Sequence, residues 1–469
     1  MTTETPEATP ALKPGSSMYE KHKKIYARAV SGRFANWRWI MVFLTQAIFY
    51  GAPWLMWNDR QAVLFHLVER KFYIFGLVLW PQDVIYLAIL LVVSAYALFL
   101  VTAVAGRLFC GYACPQTVYT ELFMWIENKV EGDRPARMKL DKGPLDGRKI
   151  RLKLTKHALW LLLSLWTGFT LVGFFTPMSE LLMEVKTWTL GPWETFWIFF
   201  YGGFAYLMAG FMREQVCKYM CPYARFQSVM FDPDTLIITY DPERGETRGS
   251  RKKGADYKAQ GLGDCIDCGI CVQVCPTGID IRKGLQYECI GCSACIDGCD
   301  EVMDKMNYPR GLIRYSTENA MERHLTKKEI LGHVVRPRIL LYSVILLVIL
   351  VATAWFLAHR IPLKVDVIRD RGSLAREMDD GTIENVYTLR VMNTDEKSRR
   401  YHISASGLDT LKVVGTADVD VPAATNTSLL TALRAQPDVG KKGSNPIMIE
   451  IASEDGEIKI QEKAVFMQP

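Results

Sequence analysis

The sequence predicts a multi-domain membrane protein: a helical transmembrane bundle, a cysteine-rich insertion and a C-terminal all-β domain. Three observations predict it. Long, mostly charge-free apolar runs recur at 36–57, 84–106, 157–176, 193–212 and 338–358. All twelve cysteines of the 469-residue chain fall before the last of these runs. Beyond it, short alternating, β-rich runs take over.

Each apolar run is long enough for a helix to cross a hydrocarbon core of about 30 Å, which takes about 20 residues. Trp37, Trp39, Tyr50, Trp54, Trp57, Trp188 and Trp193 cluster near their ends, as interfacial anchors do. Five spans are therefore expected. The opening residues are rich in Pro, Thr, Glu and Ser and predict disorder rather than a cleaved leader. Lys21, Lys23, Lys24, Arg28 and Arg33 precede the first span, and Arg38 stands at its start. Arg134, Arg137, Lys139, Lys142, Arg148, Lys149, Arg151, Lys153 and Lys156 lie between the second and third, whereas the next connection holds only Lys186. The positive-inside rule then puts the N-terminus in the cytoplasm and, after five crossings, the C-terminal region on the other side. Arg60, Arg70 and Lys71 make the first external loop less clean, and an apolar piece at 72–80 is expected in the interface.

The expected division is a disordered, basic arm at 1–35 and a four-helix transmembrane region at 36–225. A cytoplasmic cysteine-rich domain follows at 226–337, a fifth helix at 338–360 and a β-sandwich at 361–469. Seven β-rich runs, at 363–369, 385–393, 399–406, 411–415, 417–422, 445–453 and 457–467, are separated by turn-formers. That number in about 100 residues suggests an immunoglobulin-like sandwich. It contains no cysteine.

The cysteine-rich block reads CIDCGICVQVCP (Cys265, Cys268, Cys271, Cys275) and CIGCSACIDGC (Cys289, Cys292, Cys295, Cys299). Both are C-x2-C-x2-C-x3-C, the spacing with which ferredoxins hold two [4Fe–4S] clusters, the fourth cysteine of each run serving the other cluster. Cys265, Cys268, Cys271 and Cys299 would then hold one cluster, and Cys289, Cys292, Cys295 and Cys275 the other. Pro276 closes the first run as that pattern does; Asp300 follows the second. Zinc is the competing reading, but zinc sites seldom repeat three thiols at three-residue spacing.

Four further cysteines sit in CGYACPQTVY (110–119) and CKYMCPYARF (217–226), two copies of C-x-Y-x-C-P at the ends of the second and fourth apolar runs. Cys110 with Cys114, and Cys217 with Cys221, are i, i+4 pairs, expected on one side of a helix. Pro115 and Pro222 suit the first turn of a following helix. Arg107, Arg213, Lys218 and Arg225 add positive charge. Soft thiolates select copper(I), zinc or iron–sulfur centres. A copper site, a third cluster or other tetrathiolate metal site, and redox-active or merely buried thiols all remain open. His157, Met124, Met212 and Met220 lie near and read as packing or interfacial residues. GLGDCIDCG (261–269) lacks the strand–turn–helix context of a nucleotide site.

These motifs, with FANWRW at the end of the arm and NYPRGLIRYST after the cysteine block, resemble the cytochrome c oxidase accessory protein family CcoG, also called RdxA or FixG. The resemblance implies a cupric reductase of the bacterial inner membrane that supplies Cu(I) to maturing cbb3-type oxidases. Copper would be the substrate at Cys110, Cys114, Cys217 and Cys221. Expected partners are membrane lipid, a copper chaperone or copper-exporting P-type ATPase, the oxidase assembly machinery and an electron donor the sequence does not name. A homodimer is compatible with it; nucleic acid is not expected. The short motifs are also similar to those of quinol-linked membrane ferredoxins, which would make the chain an electron conduit. A third reading is an assembly scaffold acting through its sandwich.

Overall fold

A computed structural model describes residues 24–469 apart from 371, 373 and 374. The disorder expected of the first residues falls mostly outside that range. From Lys24 onward the arm is tied down. The Arg28 N–H donates to the Gln273 carbonyl at 2.8 Å, and the Lys24 ammonium and Tyr26 hydroxyl both meet Asp141 at 2.7 Å.

Among the described residues, nine α-helices build the first half: α1 (Arg33–Gly51), α2 (Val84–Ala105), α3 (Leu108–Tyr112), α4 (Pro115–Glu131), α5 (Arg134–Lys142), α6 (Gly147–Val172), α7 (Met178–Thr187), α8 (Pro192–Leu207) and α9 (Pro222–Met230). Proline at the first or second position starts α4, α5, α8 and α9, where a missing N–H costs nothing. Asp146 caps α6, its carboxylate accepting from the Lys149 N–H at 2.7 Å. α6 and α8 cross closely at Gly168, where a Cβ would stand 2.3 Å from the Ile198 carbonyl oxygen.

Among the described residues, three helices are long and apolar enough to cross a membrane: Pro81–Ala105, Pro192–Met212 and Pro337–Ala358. The other two expected spans are helical but less apolar. α1 carries Arg33, Asn36, Arg38 and Gln46, and α6 begins with a basic run and buries Ser164, Thr167 and Thr170 against its neighbours. The run expected at 36–57 leaves the helix at Gly51 and ends in a strand, Met56–Trp57, paired with Arg60–Gln61. The apolar piece at 72–80 forms antiparallel strands, Lys71–Ile74 and Leu77–Leu79, with Val63–His66 paired beside them. Their alternation buries Leu64, Tyr73 and Val78 with Trp80, against Met392 and Ala424 of the C-terminal domain.

That domain is a sandwich of two antiparallel sheets. One runs Lys412–Val414, Asn426–Ala435, Ile383–Asn393, Leu363–Arg369, with Arg376–Glu377 on the side; the other runs Asp418–Val421, Arg399–Ser406, Gly443–Ser453, Lys459–Gln468. Alternate residues meet between them, among them Tyr387, Leu389, Val391, Tyr401, Ile451 and Phe466. The strand Asn426–Ala435 has no counterpart among the seven expected runs. Its residues, NTSLLTALRA, do not stand out as β-rich, and pairing on both sides makes it a strand.

Candidate metal centre

The second apolar helix stops at Gly106, and the chain re-forms as the single turn α3 with Cys110 inside it. Cys114 lies beyond that turn in extended backbone (φ −62°, ψ 128°) as the residue capping α4. The other copy does the same. α8 widens into π turns at Met208–Met212 and Val216–Met220, and Cys221 caps α9 with φ −75° and ψ 110°. In each copy the second cysteine's N–H reaches back five residues: Cys114 to the Phe109 carbonyl at 3.0 Å, Cys221 to the Val216 carbonyl at 2.8 Å. The cysteine pairs therefore do not share one face of a continuous α-helix, the arrangement that i, i+4 spacing predicts. A wider turn carries the first thiol, and the second sits at the mouth of the next helix. Such π turns are common at functional sites.

The two copies meet. The Gln116 amide on α4 donates to the Met208 and Arg213 carbonyls at 3.0 and 3.1 Å, lacing the first repeat to the second. The Arg107 guanidinium donates to the Ala224 carbonyl at 2.5 Å. The four thiols lie close together. Burial pushes Cys110 up to about 11, with Cys114 and Cys221 adding to the effect and Arg107 and a 3.4 Å hydrogen bond to Gln227 opposing it. Burial pushes Cys217 up to about 12, with Cys114, Cys110 and Cys221 adding. Burial also raises Cys114, against N–H groups of Gln116 and Thr117. A metal bound here must therefore displace protons. Among the described residues, no three His, Cys, Asp or Glu side chains already close on a single ion. His157 is not part of this group: it bonds the Tyr206 hydroxyl at 2.8 Å and stacks on Phe211. Gln227, fully buried, gave no signal in the sequence beyond being a polar residue on a short helix.

Beside these thiols, the strand Ile237–Tyr240 pairs with Ile313–Ser316, and the segment between them carries the other eight cysteines. Cys265, Cys268, Cys271 and Cys299 line one cavity of about 360 Å³, with Tyr240, Ile266 and Leu312 in its wall. Cys275, Cys289, Cys292 and Cys295 line a second of about 330 Å³, walled by Ile238, Ile279 and Ile290, with Cys271 between the two. The repeat is repeated in the backbone. Asp267 and Gly269 take φ 52° and 63°, and Gly291 and Ser293, at the same places in the second run, take 70° and 62°. These left-handed residues reverse the chain between successive thiols so that three face one cavity, and Asp and Ser there depart from the usual preference. Burial pushes Cys271 and Cys289 up to about 11, and Cys292 and Cys299 up to about 12.

A third, larger pocket, partly open to solvent, lies between the arm, α1, α4 and the cysteine domain. Cys217 and Cys292 both reach it, beside Arg28, Glu121, Met124 and Trp125. Below it, Glu127 accepts from Arg213 at 3.0 Å and Arg137 at 3.1 Å, with Lys156 at 3.7 Å. Burial alone would raise the Glu127 carboxyl, but Arg213, Lys156 and Arg137 hold it below the usual range.

Residues 212–318, which hold both thiol cavities, match the family described as a 4Fe-4S dicluster domain, and residues 87–131 match a 4Fe-4S binding domain. Residues 353–469 match the IG-like fold at the C-terminus of FixG. Nitrogen fixation protein FixG of Rhizobium meliloti is 37% identical over 447 residues, covering 88% of this chain and 85% of that one. Protein RdxB of Cereibacter sphaeroides is 41% identical over 399 residues, 83% of each chain. The chain belongs to the FixG/RdxA family. It is a membrane-associated iron–sulfur redox protein of bacterial type, and the FixG/RdxA residues present here fit such clusters: two apolar cavities lined between them by eight thiols, with Cys271 shared. A crystal structure of a FixG-related protein from Vibrio parahaemolyticus aligns with 23% of this chain and 96% of its own length, at 27% identity and a TM-score of 0.21.

Proposed function

We propose that this FixG/RdxA member reduces Cu(II) to Cu(I), with Cys110, Cys114, Cys217 and Cys221 as copper ligands. The observation that carries the reading is the meeting of four thiols from two separate helix ends beside the cysteine domain. Cys265, Cys268, Cys271 and Cys299 would hold one [4Fe–4S] cluster and Cys275, Cys289, Cys292 and Cys295 the other, and the bound clusters supply one-electron transfer. The chain's own part is to bind and bias the metal. Thiolates favour Cu(I) over Cu(II) and so raise the potential of bound copper. Arg107, beside Cys110, offsets part of the negative charge of four thiolates. Cu(I) then passes to a chaperone or copper-exporting ATPase and on to assembly of a cbb3-type oxidase.

The proposed topology has five crossings, with α1 and α6 completing the three more apolar helices. Arm, basic loop and cysteine domain gather at one end, and the 56–80 strands and the sandwich at the other. We assign these ends to cytoplasm and periplasm by the basic residues of the first. Replacing Cys110, Cys114, Cys217 and Cys221 together by Ser should abolish Cu(II) reduction while iron content and the iron–sulfur EPR spectrum persist. Undiminished reduction in that variant would remove copper from these thiols.

A second reading has one observation in its favour: the 4Fe-4S binding family matched at 87–131 includes Cys110 and Cys114. On that reading the four thiols hold a third iron–sulfur centre, and the protein conducts electrons to a different acceptor.

A further inference from the structure

The two C-x-Y-x-C-P copies close the same turn, yet the loop carrying Cys292 is built against the first. Gly111, between Cys110 and Tyr112, is buried beneath it. A Cβ at Gly111 would stand 2.8 Å from the carbonyl carbon and oxygen of Gly291 and 2.9 Å from Cα of Cys292. Gly291 answers from the other side: a Cβ there would stand 3.0 Å from the Arg107 carbonyl oxygen. Two backbones touch because neither position carries a side chain.

Tyr112 extends that contact. Its hydroxyl donates to Ser293 Oγ at 3.0 Å, Ser293 donates to the Tyr315 hydroxyl at 2.6 Å, and Tyr315 donates to the Gly291 carbonyl at 2.8 Å. Arg38 fixes the same loop, donating to the Cys292 carbonyl at 2.6 Å. Among the described residues, the second copy makes none of these bonds. Lys218 stands where Gly111 does, and Tyr219, the counterpart of Tyr112, is 69% exposed. The duplication is broken at the place where the cysteine domain meets it.

We infer that electrons enter the four-thiol centre through the first motif, across the contact of 291–293 with 110–112, and that Gly111 and Tyr112 are positioning residues for that transfer. Tunnelling through packed backbone and hydrogen bonds decays less steeply than through a gap. The cavity of Cys275, Cys289, Cys292 and Cys295 is then the inner one. That of Cys265, Cys268, Cys271 and Cys299 is the outer one, where Cys268 is exposed. The step would move one electron from a cluster held by Cys275, Cys289, Cys292 and Cys295 to Cu(II), giving Cu(I), with no bond formed to Tyr112. The assay rests on the copper reading, although the same contact would serve an iron–sulfur centre at the four thiols.

The test compares full-length wild type, Gly111→Ala, Tyr112→Phe and Tyr219→Phe, each loaded with iron and reduced with dithionite. Iron content and EPR are recorded first, and the bleaching of the clusters by Cu(II) is then followed by stopped flow. Gly111→Ala should slow bleaching by about tenfold or more, since small misplacements of reacting partners are costly in rate. Tyr112→Phe should slow it by a smaller factor and shift the EPR signal of one centre only, with Tyr219→Phe matching wild type in both. Should Gly111→Ala fail to load iron, Tyr112→Phe decides alone. Wild-type bleaching in an iron-replete Tyr112→Phe, or equal slowing by Tyr219→Phe, overturns the route. A wild type whose clusters ignore Cu(II) sinks the copper reading instead. The EPR then judges the route, and a Tyr112→Phe spectrum identical to wild type overturns it.

Discussion

Single side chains hold the bundle and the cysteine domain together. Asp297, buried in the helix that carries Cys295 and Cys299, accepts the N–H groups of Phe34 at 3.1 Å and Ala35 at 2.7 Å. It thereby satisfies donors that the start of α1 leaves open and places its charge at the positive end of the helix. Asp297→Ala should cost about 1–3 kcal/mol, the penalty for leaving buried donors unmet. It should also speed proteolysis of the arm, measured with iron content as a control for the cysteine domain. At this scale the sequence is only partly informative. Cysteine spacing says which twelve residues to watch, and the resemblance to the FixG/RdxA family is legible in the motifs. That Asp297 caps α1 from 262 residues away, or that Gln227 faces Cys110, is not. Such partners are set by tertiary packing and leave no periodic trace.

At the scale of elements, the second motif hangs on a buried charge cluster. α4, α5, α6 and the π turn at Met208–Met212 meet through Glu127, Arg137, Lys156 and Arg213, and Glu131 joins them through Lys156 at 2.9 Å. Removing one member of a buried cluster leaves the rest uncompensated, so Glu127→Gln should destabilise the protein by about 3–5 kcal/mol, read as a lower midpoint of thermal unfolding. The pH dependence has a definite sign. Because the folded protein holds the Glu127 carboxyl below its usual range, its contribution is present above the ordinary carboxylate value. It is lost as pH falls through the depressed one. Wild type should therefore lose stability on acidification where Glu127→Gln loses less, measured by melting at stepped pH. The basic residues of this region are plain in the sequence, and so is the duplication. The five-residue turns that seat Cys114 and Cys221 are not, because hydropathy reports a helix's lipid face and says nothing of which carbonyl an N–H chooses. The strand Asn426–Ala435 escaped for a related reason: pairing with both neighbours outweighed a sequence with weak strand preference.

Across the whole molecule, the sandwich is fastened to the bundle rather than tethered to it. The buried carboxylate of Asp83, at the start of α2, binds Arg360 at 2.8 Å and also Lys364. Glu396 binds Arg60 at 2.8 Å and accepts from the Trp57 indole at 3.0 Å. Asp83→Ala should expose the connection at 359–363 to protease, leaving the proposed Cu(II) reduction at the four thiols unaffected. Loss of reduction in that variant would mean that the two ends communicate. The central claim lies at the other end, in the four thiols of the duplicated motif. Iron counting on the purified protein, before and after Cu(I) titration, tests it most directly. The copper reading predicts about eight irons per chain, two four-iron clusters, together with tight Cu(I) binding that disappears when Cys110, Cys114, Cys217 and Cys221 are replaced by Ser. About twelve irons per chain, falling to about eight in the same variant, would contradict it and hand the site to a third iron–sulfur centre.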